Sequence, residues 1–154
     1  MSGGVFLDTS GWLAVINQRA PEHRGAIIAY EEVLRSGGHF VTTELVVAEM
    51  HALTVKHRGP GAGLRLLDEL RRDPTHDVKY PGREVQDAAI ERWLRRSEGT
   101  TMDLTDAVSL EVMRQEGIPM ALATDPVFKI AGFRSVPEPA GQRTIGTDRH
   151  ADRP

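Results

Sequence analysis

Cysteine is absent from the 154 residues, which removes disulfides, thiolate metal ligands and a cysteine nucleophile together. Any metal site in this chain has to be built from histidine and carboxylate. The six histidines (His23, His39, His51, His57, His76 and His150) form no HExxH pattern, and His51 and His57 point to different faces of one expected helix. No apolar run reaches the roughly 18 residues of a membrane helix, and no basic-then-apolar leader opens the sequence. A soluble, cytoplasmic protein with no membrane partner is the expectation. Lysine is also scarce, Lys56, Lys79 and Lys129 being the only lysines among nineteen basic residues. The remainder are arginines, whose planar fork suits phosphate. Arginine-richness equally describes a solvated surface, so by itself it identifies no nucleic acid. The net charge of −3 argues weakly against such a partner, because a metal that neutralised the four acids discussed below would turn the balance slightly positive.

What is present is an alternation of short apolar runs and helical periodicities. Strands are expected at residues 5–7, 40–42, 78–80, 120–123 and 133–136. Helices are expected at 9–17, from Pro21 to the Gly37-Gly38 stop, from a Thr43 cap to about Lys56, and at 61–72. Further helices carry Val85, Ala88, Ala89, Trp93 and Leu94, then residues 107–115, with a single turn at 126–131. Strands alternating with helices imply right-handed crossovers. The expected fold is a three-layer α/β/α sandwich with a central, mainly parallel sheet of four to five strands. Residues 1–136 are read as one domain and 137–154, which hold one large aliphatic residue, Ile145, as a flexible tail. There is no internal repeat.

Four acids stand out against that frame. Asp8 ends the run VFLD and Asp125 follows MALAT, so both lie beyond the carboxyl ends of strands, where open α/β sheets bind ligands. Each alone is also explained as a cap on the helix that follows. Glu49 falls with Leu45, Ala52 and Leu53 on one helical stripe, read here as the core-facing one. A carboxylate there needs a cation, an arginine partner or a proton. Asp106 follows Asp103 by three residues at the start of an apolar helix, which is the spacing of a helix cap and its first-turn acid; the same placement can aim Asp106 at the sheet edge. Collectively, carboxylates about 4 Å apart repel by roughly 4 kcal/mol per pair at an effective dielectric near 20. Such a cluster calls for a divalent cation, and an all-oxygen donor set suits Mg²⁺ or Mn²⁺. Phosphodiester hydrolysis is the chemistry that site supports best.

Taken in order, VFLDTS, TTELVVAEM, LTDAVSLEVMRQEGI and ALATDPVFKIAGF resemble the PIN domain, and most of all the VapC-type ribonuclease toxins of bacterial toxin–antitoxin pairs. The resemblance runs over about residues 5–136. It implies Mg²⁺- or Mn²⁺-dependent endoribonuclease activity on an RNA substrate, a homodimer, and a cognate antitoxin whose tail lies over the active site. It carries the four metal-site acids onto Asp8, Glu49, Asp106 and Asp125, and the hydroxyl that supports the first Asp onto Thr9 or Ser10. Two departures stand out. Pro126 and Val127 replace a polar or acidic residue that relatives often carry after the fourth acid. Asp103 replaces a small polar residue, as an added carboxylate or, the reading preferred here, as the helix cap.

Other signals carry less. RGPGAG at 58–63 joins two helices and lacks a phosphate loop's Lys-Ser/Thr ending. Trp12 and Trp93 read as packing anchors. Arg92, Arg95 and Arg96 form a basic turn that suits RNA phosphates, though a solvated helix face explains it equally simply. A phosphoacceptor receiver domain would need an acidic pair after the first strand and a lysine after a late one, and neither is present. The remaining alternative is a PIN-like module that binds without cutting.

Overall fold

The computed structural model describes residues 3–139. They form β1 (Gly4–Leu7), α1 (Thr9–Ile16), α2 (His23–Arg35), β2 (His39–Thr43), α3 (Glu44–Arg58), α4 (Pro60–Arg72) and β3 (His76–Lys79). The second half adds α5 (Arg83–Arg92), a 3₁₀ turn at Leu94–Arg96, α6 (Leu104–Glu116), β4 (Met120–Leu122), α7 (Val127–Ile130) and β5 (Arg134–Val136). Tail residues from 140 onward lie outside the described residues.

All five strands are parallel, in the order β3-β2-β1-β4-β5. The chain winds outward from β1 to β3, then crosses back to build β4 and β5 on the other side of β1. That reversal leaves a crevice at the carboxyl ends of β1 and β4, where a doubly wound sheet offers its ligand site. Phe6 faces Ala121 and Leu7 faces Leu122 in register, so Asp8 and the segment leading to Asp125 leave the sheet side by side. The hydroxyl of Thr42 donates to the Leu7 carbonyl at 2.8 Å and steadies this end of β1 from the other flank.

Phe6, Leu7, Phe40, Leu122 and Phe128 are fully buried, each contributing roughly 1.5–3 kcal/mol by leaving water. In α6 every residue from Ala107 to Met113 is buried, so the middle two turns of this helix are enclosed on all sides, while Arg114, Gln115 and Glu116 at its end are exposed. Gly11 lets α1 lie directly on β4: a Cβ there would sit 2.0 Å from the Leu122 carbonyl oxygen.

Three expectations need correcting. α2 starts at His23, with Pro21 in the preceding turn, because the first helical bond runs from the Ala26 amide to the Glu22 carbonyl. Trp93 caps α5 and Leu94 opens the 3₁₀ turn, since the Trp93 indole N–H is drawn to Glu111 on α6. The core positions of α3 are Val46 and Met50; Leu45, Glu49 and Leu53 are half-buried and Ala52 is exposed. Apolar residues surround the first turns of α3, so periodicity alone did not identify its inner face. The glycine-proline stretch is a helix junction as expected, with Gly59 at φ 85° and Pro60 opening α4.

Candidate active site

Asp8 is the cap of α1, and its side chain accepts the Ser10 amide at 3.0 Å as well as the Ser10 hydroxyl. The same Ser10 oxygen accepts the amides of Thr124 at 3.0 Å and Asp125 at 3.1 Å. One hydroxyl therefore ties the end of β1 to the end of β4. Asp125 in turn accepts the Val127 amide at 2.9 Å and opens the turn into α7. From the other side, Thr9 donates to Glu49 at 2.7 Å and links α1 to α3. Both hydroxyls are thus used, Ser10 on the first aspartate and Thr9 on the glutamate.

Asp103 caps α6 by accepting the Asp106 amide at 2.9 Å, and Asp106 accepts the Asp103 amide at 3.1 Å. This reciprocal capping box settles the helix-capping role of Asp103. It does not exhaust Asp106. Burial, followed by the charges of Asp103, Asp8 and Asp125, pushes the Asp106 carboxyl up to about 7 against the pull of the Asp103 amide. Asp8 is 3% exposed; burial raises its pKa, and Asp125 adds to the rise, outweighing the Ser10 and Thr9 donors. Asp8, Asp106 and Asp125 thus share one electrostatic environment, and no lysine or arginine among the described residues pairs with any of them or with Glu49.

Each of the four carboxylates is nevertheless turned to a local donor, and among the described residues no three of these side chains converge as a ready-made metal cluster. The donor set still fits a hard divalent cation: Asp8, Asp106 and Asp125 feel one another's charge, Asp8 is almost fully buried, and none has a cationic partner among the described residues, while Glu49 is joined to this group only through Thr9. A cation would replace proton and local donor alike.

The three arginines singled out above sit on the α5 corner. Arg92 pairs with Glu111 at 3.3 Å and Arg95 with Glu91 at 2.7 Å, while Arg96 has no ion pair among the described residues. Trp12 is buried and Trp93 half-buried, which agrees with their role as packing anchors.

Two polar centres escaped the sequence reading. Glu111 is fully buried on α6 and accepts from Trp93 (3.0 Å), Arg114 (2.8 Å) and Gln115 (2.9 Å) besides Arg92. Burial alone would raise its pKa, but the Arg114, Gln115 and Trp93 bonds lower it overall. An acid inside the apolar run 107–113, flanked by an arginine, was the available signal. His76, nearly buried, bonds Asp73 at 2.9 Å and Tyr30 at 3.1 Å among the rings of Trp12, Tyr30 and Phe40.

A parallel five-stranded sheet with an acidic crevice at its reversal point defines a class, and a family model agrees: the PIN domain model matches residues 5–134, and the chain belongs to that family. Within it the likeness is to VapC-type toxins. The chain is 29% identical over 135 residues, covering 86% of itself and 97% of the relative, to a Mycobacterium tuberculosis protein named 23S rRNA-specific endonuclease VapC20. The crystal structure of VapC20, described as a sarcin-ricin loop cleaving toxin, matches with a TM-score of 0.70 at 28% identity over 84% of this chain and 95% of that one. VapBC2 from Rickettsia felis, bound to a DNA fragment from its promoter, shares the fold at 13% identity with a TM-score of 0.63, over 86% of this chain and 96% of that one. FitAcB from Neisseria gonorrhoeae does so at 13% identity and 0.62, over 85% and 95%.

Proposed function

We propose that this protein is a Mg²⁺- or Mn²⁺-dependent endoribonuclease and acts as the toxin of a toxin–antitoxin pair. One observation carries the reading: the Ser10 hydroxyl joins the strand ends that carry Asp8 and Asp125, Asp106 feels the charge of both, and none of these acids has an ion-pair partner among the described residues. Asp8, Glu49, Asp106 and Asp125 would hold the cation, with Ser10 orienting Asp8 and Thr9 orienting Glu49. When bound, the cation supplies activation of water and neutralises charge on the attacking and leaving oxygens of the phosphodiester. Asp106 would surrender its proton on metal loading, so metal affinity should rise with pH up to about 7. Asp103 keeps its place as cap and holds the first turn of α6 at the crevice. The activity named for VapC20 supports a ribosomal RNA loop as the first substrate to try. A homodimer and a protein antitoxin are part of the same proposal, and light scattering of the purified protein with and without its co-expressed antitoxin tests them.

The decisive experiment is cleavage of total RNA by purified protein with Mn²⁺, Mg²⁺ or EDTA, beside Asp8→Asn. Discrete fragments that require metal and vanish with Asp8→Asn are expected. The second reading, a PIN-like module that binds without cutting, draws on the local donor that each of the four carboxylates already holds. A folded, antitoxin-free, metal-binding preparation that leaves RNA intact would establish that module instead.

A further inference from the structure

A groove of about 1070 Å³ opens between α1, α3 and α4. It begins where the acidic site ends. Thr9 and Glu49 touch across α1 and α3, and the next residues on the same faces, Leu13 and Asn17 on one side and Leu53 and His57 on the other, line the groove. That is two helical turns, or about 11 Å, of continuous channel leading away from the carboxylates. Arg19, Arg58 and Arg65 also line it; all three are exposed and none has an ion pair among the described residues. Of the acids along the groove, Asp73 is paired with His76, which leaves Glu69 against three arginines.

Unpaired guanidiniums at the end of a channel that starts beside a phosphodiester-cutting site suit the backbone of the strand being cut. Metal-site acids repel RNA, so attraction has to come from the channel's far end. We propose that Arg19, Arg58 and Arg65 bind the phosphates of single-stranded RNA next to the cut, with the groove as the strand's path. The proposal takes its substrate from the nuclease reading and adds a location.

The test is fluorescence anisotropy of a labelled single-stranded RNA oligonucleotide against the full-length protein in EDTA, where nothing is cut, over a range of KCl. Wild type is compared with the triple variant Arg19→Ala, Arg58→Ala, Arg65→Ala. The control is Arg24→Ala, Arg83→Ala, Arg134→Ala, which removes the same charge from exposed arginines outside the groove. Each lost phosphate contact should flatten the plot of log affinity against log salt by about 0.7, so the groove triple should flatten it by about 2 and weaken binding roughly tenfold or more near 0.1 M salt. The control triple should keep the wild-type slope. Equal slopes in the two triples overturn the proposal and leave the groove to a protein partner. If the triple fails to fold, Arg58→Ala and Arg65→Ala singly should each flatten the slope by about 0.7, and an unchanged slope in both overturns it equally. Cleavage with Mn²⁺ is scored separately, so a wild type that binds through the groove and does not cut removes the nuclease reading alone.

Discussion

At the scale of single residues, none of the four carboxylates has a cationic side chain as an ion-pair partner among the described residues. Asp106 has a folded-state pKa of about 7 against an ordinary value of 3.8. Between those values the folded chain holds a proton that the unfolded chain has released, so metal-free stability falls as pH rises from about 4 to about 7. Asp106→Asn removes that penalty while its amide oxygen can still accept the Asp103 amide. In EDTA the variant should therefore melt above wild type at pH 8, with the gap closing as the pH approaches 4, as thermal melts across pH would show. An equal gap at all pH values would mean that packing, not charge, decides the difference. Asp8 and Asp125 were legible in the sequence because each terminates a short apolar run. Ser10 was recognised only as one of two candidate supports; that its single oxygen bridges both strand ends depends on β1 and β4 being neighbours, which no local pattern states.

Between elements, two contacts carry unusual weight. α1 rests on β4 through Gly11, whose missing Cβ leaves room for the Leu122 carbonyl. Backbone has little freedom to retreat, so Gly11→Ala should cost roughly 3 kcal/mol or more in urea unfolding; a loss under about 1 kcal/mol would show that the helix slides to accommodate a methyl group. α5 is fastened to α6 by Glu111, and Glu111→Ala leaves the Trp93 indole and two guanidiniums without their acceptor. Because Arg92 and Arg114 are 46% and 44% exposed, water recovers part of the loss, and the expected cost is about 2–3 kcal/mol. Metal affinity of the folded fraction should stay at the wild-type level, and isothermal titration would expose any coupling to the site. The capping box of α6 was readable from Asp103 and Asp106 at their spacing. The inner face of α3 was not, because Leu45, Val46, Val47 and Ala48 offer apolar residues in nearly every direction.

For the whole molecule, five parallel strands reverse their winding between β1 and β4, and that reversal gathers residues separated by more than a hundred positions. If the crevice takes a divalent cation, the cation stabilises the fold by mass action, about 2.7 kcal/mol at one hundred times its dissociation constant. Mn²⁺ should raise the melting temperature of wild type and leave Asp8→Asn nearly unmoved; equal rises would place the ion elsewhere. None of the described helices is long and apolar enough to cross a membrane. The sequence by itself determined the alternation of strands and helices, the strand-end position of Asp8 and Asp125 and the cap at Asp103, because these follow from local periodicity and turn chemistry. Only the tertiary structure decided that Asp8, Asp106 and Asp125 share an environment, that Glu49 accepts from Thr9 beside the core of α3, and that Glu111 fastens two helices from inside. Those outcomes depend on which elements meet, and the free energy of burial that brings them together depends on the whole sheet.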